Sequence, residues 1–186
     1  MNIEIVSGSP RQQSITYRLV LFLHKYLKEK TNHTMHIIDV RDWELSVMQQ
    51  HVFNSVEKTP DVLKPLSESI FSADAFIMVT PEYNGSYTSA LKNLFDHYPK
   101  QYHKAFGIVT ASSGAMGGIR ASQQMQLFIH ALFGVASPQL LIAPFVDKKF
   151  DEAGNPLDEN FLKSIEVFVK EFLWLAECMV HSHQTV

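Results

Sequence analysis

Two apolar runs constrain this chain most. Residues 75–80 read AFIMVT and residues 105–111 read AFGIVTA. Neither alternates with polar residues, as a strand with one wet face would. Strands of this kind belong inside a parallel sheet covered on both faces. Asn2 to Val6 and Thr34 to Ile38 add two β-branched strands, and Gln139 to Ala143 adds a last one. Helices are expected between them: from Ser14 as N-cap, over Pro60 to Phe71 with Pro65 inside, over Thr88 to Tyr98, over Gly117 to Phe133, and over Asp158 to Met179. The first carries Ile15, Leu19, Phe22, Tyr26 and Leu27 on one stripe. Regular alternation of strand and helix means an α/β doubly wound sheet, here five parallel strands in order 2-1-3-4-5 with helices on both faces. One domain over 1–180 and a polar tail over 181–186 are expected. Asp39 to Lys58 reads as irregular, anchored by Trp43, Leu45 and Met48. Asp147 to Pro156 reads as a polar excursion that matches no functional motif.

Charge and cysteine usage narrow the function classes. Net charge is −3, from 16 Lys+Arg against 19 Asp+Glu. That argues against a coat for nucleic acid or an anionic membrane. No apolar run reaches the roughly 20 residues that span a bilayer, and no signal peptide is expected. The single cysteine, Cys178, excludes an internal disulfide and fits a reducing cytoplasm. It is expected to be buried in the last helix. Nine histidines are scattered, and His181-x-His183 lies in the expected tail, so no metal site is read from them.

Ligands of such sheets bind beyond the carboxyl ends of the strands, at the switch point between strands 1 and 3. Three loops lie there. Ser9-Pro10-Arg11-Gln12-Gln13-Ser14-Ile15-Thr16 offers three hydroxyls, a guanidinium and a helix N-terminus, a donor set suited to phosphate. It is neither G-x-x-x-x-G-K-[ST] nor G-x-G-x-x-G, which argues against a P-loop and an ordinary dinucleotide fingerprint. Thr80-Pro81-Glu82-Tyr83-Asn84-Gly85-Ser86-Tyr87 combines a stiff exit, an Asn-Gly turn and two aromatic rings, and can lie along a flat heterocycle. Ser112-Ser113-Gly114-Ala115-Met116-Gly117-Gly118 is small and permissive. Each loop alone also reads as an ordinary strand-to-helix turn. Together they describe one site with a phosphate end and a planar end.

GSPRQQSIT (8–16), TPEYNGSYTSALKN (80–93) and SSGAMGGIRA (112–121) resemble, in order and spacing, the NAD(P)H-dependent FMN reductase family. That family includes quinone, chromate and azo-dye reductases. The resemblance covers the chain to about Pro144 and implies a flavodoxin-like three-layer sandwich. It implies that Ser9, Arg11, Ser14 and Thr16 hold the FMN phosphate, with Ile15 beside them. Pro81, Glu82, Tyr83, Asn84 and Gly85 would line the isoalloxazine, and Ser112, Ser113, Gly114, Gly117 and Gly118 would flank it. NADPH or NADH would be co-substrate, and a flavin, quinone or similar small acceptor would take the electrons by ping-pong. No catalytic side chain is implied, because the cofactor carries the chemistry. A homodimer or homotetramer is implied too. Thr88 stands where the family usually has proline, which is expected to loosen the start of that helix. The alternative reading is a non-enzymatic FMN-binding electron carrier, against which the mild charge and Arg11 argue. A flavin-free protein on the same scaffold is a further rival.

Overall fold

The computed structural model of the protein describes residues 1–49 and 52–183. Its central sheet runs β2-β1-β3-β4-β5, with a sixth strand also on β4. The strands are β1 (Asn2–Ser7), β2 (Thr34–Asp39), β3 (Ala75–Thr80), β4 (Ala105–Ala111), β5 (Val135–Ala136) and β6 (Leu141–Ala143). Every pairing among them is parallel. The helices are α1 (Thr16–Lys30), α2 (Lys64–Ser72), α3 (Ser89–Asp96), α4 (Ile119–Ala131), α5 (Val146–Lys149) and α6 (Glu159–His183). The expected fold class is therefore the observed one.

Period-2 alternation sorts the core into two layers. Ile3 and Ile5 of β1, with Ala75, Ile77 and Val79 of β3, pack under α1 and α6. Val6, Phe76 and Met78 point the other way, into the layer made with α2, α3 and α4. Both central strands are buried along their length, which is why β3 and β4 read as continuous apolar runs. In α6, Ile165, Phe168, Val169, Phe172 and Ala176 form the buried stripe at helical spacing.

Several expectations need correction. The last strand is two short strands. β4 pairs Ala105 with Val135 but Val109 with Leu141, an offset of 30 residues that becomes 32, so two extra residues bulge out between β5 and β6. Pro138 lies in that bulge and cannot donate to a ladder. Next, Ser14 is not a cap: α1 begins at Thr16 and its N-cap position is Ile15, without a side-chain hydrogen bond. The helix expected from Pro60 divides into a 3-10 turn, Asp61–Leu63, and α2, with Pro65 in the first turn of α2 where its missing N–H costs nothing. Last, Cys178 is exposed, because it falls off the buried stripe of α6. That helix continues to His183, beyond the Met179 of the expectation. The expected tail over 181–186 lies partly outside the described residues, and so do residues 50 and 51 of the irregular segment. Among the described residues no helix is long and apolar enough to cross a membrane.

Candidate cofactor and active site

The three loops leave β1, β3 and β4 at one end of the sheet and meet at a cleft of about 230 Å³. Ser9, Arg11, Ser14, Ile15 and Thr16 line it from the first loop, and Pro81, Glu82 and Tyr83 from the second. Ser112 and Ser113 close it from the third. Gln13 and Ala111 line it as well and were not singled out from the sequence. A groove of about 340 Å³ lies elsewhere, lined in part by Leu45, Phe53 and His97, and lacks this donor set.

One end of the cleft gathers donors of the kind that suit an anion. Ser14 Oγ is buried there with no hydrogen-bond partner among the described residues. Leaving a hydroxyl so costs about 1–3 kcal/mol, a cost that a ligand oxygen would remove. Ser9 is itself buried, and Thr16 opens α1, whose Tyr17 and Arg18 N–H groups donate back to Ser14 O and Ile15 O at 3.2 and 3.3 Å and so fix the turn that carries Ser14. The Arg11 guanidinium sits 5.1 Å above the Tyr83 ring, joining the anion end to the second loop. Hydroxyls beside a helix start and a fork-shaped cation make a donor set that fits the phosphate of FMN.

The other end is held rigid by local chemistry. Tyr83 and Ser86 exchange backbone hydrogen bonds of 2.8 and 3.1 Å. Asn84 and Gly85 form the two-residue turn between them, with φ of 51° and 82°. Both angles lie in the left-handed region that Asn-Gly supplies at least cost. That puts Asn84 and Gly85 at the hairpin tip, just beyond the wall that Pro81, Glu82 and Tyr83 give the cleft, where a ring that extends past this wall would meet their backbone. Glu82 accepts hydrogen bonds at 3.2 Å from both Arg120 N and Arg120 Nη1, so it braces the hairpin against the start of α4. Tyr87 turns away and stacks on Phe128 at 4.9 Å. Burial there pushes its hydroxyl pKa up, with a smaller push from Asp96.

Thr88 corrects the expectation of a loosened helix. It is the N-cap of α3, and its Oγ1 accepts from Leu91 N at 3.1 Å. The same hydroxyl donates to Gly8 O, which ties α3 to the first loop. The cap preference of threonine is the local signal for this role.

The third loop is anchored from behind. Ser112 N donates to Ala143 O at 3.1 Å, and Val146 N donates to Ser112 O at 3.0 Å. Gly114 accepts from Ser112 Oγ at 3.1 Å. Gly117, Gly118 and Gly114 do not line the cleft. Gly117 has φ of 61°, and a Cβ there would lie 2.6 Å from Ile142 and 2.8 Å from the Pro144 nitrogen. Its smallness serves close packing onto β6.

The model of the NADPH-dependent FMN reductase family matches residues 1–147, most of the chain. This chain belongs to that family. It is an oxidoreductase that uses FMN with NAD(P)H as electron donor. An FMN-dependent NADPH-azoreductase of Staphylococcus aureus is 26% identical over 192 residues, covering 96% of this chain and 97% of that protein. An NAD(P)H-dependent FMN reductase of Schizosaccharomyces pombe is 29% identical over 124 residues, 65% of this chain and 62% of that protein. Among solved structures, the flavoenzyme NAD(P)H:acceptor oxidoreductase FerB of Paracoccus denitrificans superposes with a TM-score of 0.80 at 21% identity. That match covers 96% of this chain and 98% of FerB, and it establishes a shared fold.

Proposed function

We propose that this FMN reductase works by a ping-pong cycle in the cleft at the strand ends, delivering electrons to a small planar acceptor such as a flavin, quinone or azo compound. The observation that carries the reading is the convergence of an anion-binding loop, a rigid aromatic hairpin and a small third loop on one cleft. Ser9, Arg11, Ser14 and Thr16 would hold the FMN phosphate, with Ile15 packing beside them. Pro81, Glu82 and Tyr83 would edge the isoalloxazine, and the backbone of Asn84 and Gly85 would face its pyrimidine end. Ser112 and Ser113 would flank it, with Gly114, Gly117 and Gly118 setting the path of that loop.

When bound, FMN supplies the two-electron transfer between NAD(P)H and the acceptor. The protein orients the ring and stabilises the charge that develops on it. Backbone N–H groups of the Asn84–Gly85 turn can do this as fixed dipoles, without a titrating side chain. The 82–120 brace keeps those dipoles in place. The cleft would leave room beside a bound ring for donor and acceptor in turn, which is what an alternating cycle needs. The azoreductase name of the Staphylococcus aureus relative supports an aromatic acceptor. Exposed Val167 and Trp174 on α6 offer apolar surface to a homodimer or homotetramer.

The test is an absorption spectrum of the purified protein after excess FMN and desalting, repeated anaerobically with NADPH and NADH. Retained flavin bands that bleach with either nucleotide, and recover when a quinone or azo dye is added, are the expected result. A retained flavin that neither nucleotide bleaches would indicate the electron-carrier alternative. No flavin binding in a titration would remove the reading altogether.

A further inference from the structure

Register places the end of β2 beside the first loop. In the parallel pairing of β1 with β2, Ser7 stands opposite Asp39, so both strands leave the sheet at the same level. Val40 N donates to Ser7 O at 3.1 Å and carries that pairing one residue further. Arg41 therefore emerges alongside the loop to which the FMN phosphate is assigned.

That loop is a thin wall. Gln13, Ser14 and Ile15 line the cleft, and the same three residues line a second groove of about 510 Å³. The far side of this groove includes Glu152, from the polar excursion. The excursion is pinned along α1: Arg18 Nη1 donates to Phe150 O at 3.1 Å, and a Cβ on Gly154 would stand 2.7 Å from Leu21 Cβ. A wall that stands between two hollows has little packing to keep its shape, so its shape rests on specific bonds.

Two side chains from outside the loop supply such bonds. Thr88 Oγ1 donates to Gly8 O at its start. Arg41 acts at its middle. Its Nη1 donates to Gln12 O at 3.0 Å, and its guanidinium carbon lies 4.4 Å from the centroid of the Tyr17 ring. Gln12 precedes Ser14 and Tyr17 follows it. One flat group thus grips the chain on both sides of the buried Ser14 Oγ, which has no partner among the described residues. The guanidinium is itself fixed. Asp39 Oδ1 accepts from Arg41 N at 3.0 Å and from Nε at 2.9 Å, and Asp39 Oδ2 accepts from Nε at 3.0 Å and from Nη2. The two side chains are 17% and 3% exposed. A fork onto a carboxylate, a bond to a carbonyl and a face over an aromatic ring use the guanidinium in three ways at once, which an ammonium cannot do.

We propose that Arg41 is a positioning residue for FMN: held by Asp39, it braces Gln12 and Tyr17 so that Ser14 and its neighbours stand ready for the phosphate before the cofactor arrives. Arg41 is not among the residues that line the cleft. Its effect is preorganisation, which strengthens binding by removing the cost of ordering the loop. This rests on the reading above that the first loop holds the phosphate.

FMN and riboflavin, each titrated by flavin fluorescence against the flavin-free protein, test the assignment, because riboflavin has the same ring and no phosphate. Arg41→Lys keeps a charge beside Asp39 but cannot hold Asp39 and Gln12 O together. It should lower the ratio of FMN to riboflavin affinity about five-fold or more, the worth of one hydrogen bond, and leave riboflavin affinity unchanged. The double variant Asp39→Asn with Arg41→Met leaves no buried charge unpaired and should show the same fall. Both variants keep the net charge, so long-range attraction of the dianion is the same in each. Circular dichroism confirms that the ratio is read on folded protein. An unmoved ratio in both variants would overturn the assignment, and so would an equal loss of affinity for both flavins, which is what a merely structural role gives. Ser14→Ala in the same assay separates the two readings. If it lowers the ratio while the Arg41 variants do not, the role of Arg41 alone fails. If it too leaves the ratio unmoved, the phosphate reading of the loop fails, and the role of Arg41 with it.

Discussion

Thr88 joins two functional loops through one hydroxyl, as cap of α3 and as donor to Gly8 O. Thr88→Ala leaves Leu91 N and Gly8 O without that partner in a buried place. The expected loss is about 1–3 kcal/mol of stability, the sum of a cap and an unmade hydrogen bond, measured by urea unfolding. Arg11 acts at the ligand instead. It is exposed and stands over Tyr83, so its removal should leave folding unchanged. Arg11→Ala should weaken FMN binding by about 1.5–3 kcal/mol, the range of a charged hydrogen bond, as read by quenching of flavin fluorescence. Unchanged affinity would remove Arg11 from the phosphate end. Both residues were visible in the sequence. The motif carried Arg11, whereas the capping role of Thr88 was hidden behind the proline it replaces.

At the scale of elements, the second and third loops show what a motif does and does not reveal. Asn84-Gly85 announced a positive-φ turn, and the turn is there. Its brace by Glu82 and Arg120 spans 38 residues, and no local pattern encodes such a pairing. In the sequence, Gly117 is one of the small residues of a permissive loop. Its space is filled by Ile142 and Pro144, because β6 passes directly behind it. Gly117→Ala combines an unfavourable φ with a backbone clash, and should cost more than the roughly 1 kcal/mol of a plain Gly→Ala exchange at positive φ. Calorimetric melting would measure it, and an unchanged melting temperature would mean that the loop can move off β6. The split of the last strand was illegible for a similar reason. A two-residue strand such as Val135–Ala136 has no periodicity to read, and only its pairing with β4 defines it.

For the whole molecule, the buried Glu4 sets a pH dependence. It lies on β1 with Oε1 3.2 Å from His36 Nδ1, and its Oε2 has no partner among the described residues. Burial pushes its carboxyl from the ordinary 4.5 up to about 7, against a smaller downward pull from His36. The folded state therefore holds this proton more tightly than the unfolded chain does. Its contribution to stability is full below pH 4.5 and is lost as pH rises through about 7. Glu4→Gln keeps the shape and removes the titration, so its melting temperature should exceed that of the wild type at pH 8, with the gap narrowing toward pH 5. Lys104, pushed down to about 8 by burial, titrates in both proteins and cancels in the difference. A gap that does not change with pH would place the carboxylate in water.

The sequence by itself determined the layered architecture and the end of the sheet where the site lies. Apolar runs, helical stripes and loop residues are local signals, and parallel strands put every strand-exit loop on one side. It also supplied most of the residues that line the cleft, because phosphate-binding and turn chemistry are written in short stretches. Tertiary structure decided the rest. It gave Thr88 its second bond, set Glu82 against Arg120, turned Tyr87 inward and pinned the excursion near Gly154 along α1 to make a second groove. Each of these depends on which distant backbone arrives within hydrogen-bond or van der Waals reach. That is settled only when the helices have packed onto both faces of the sheet.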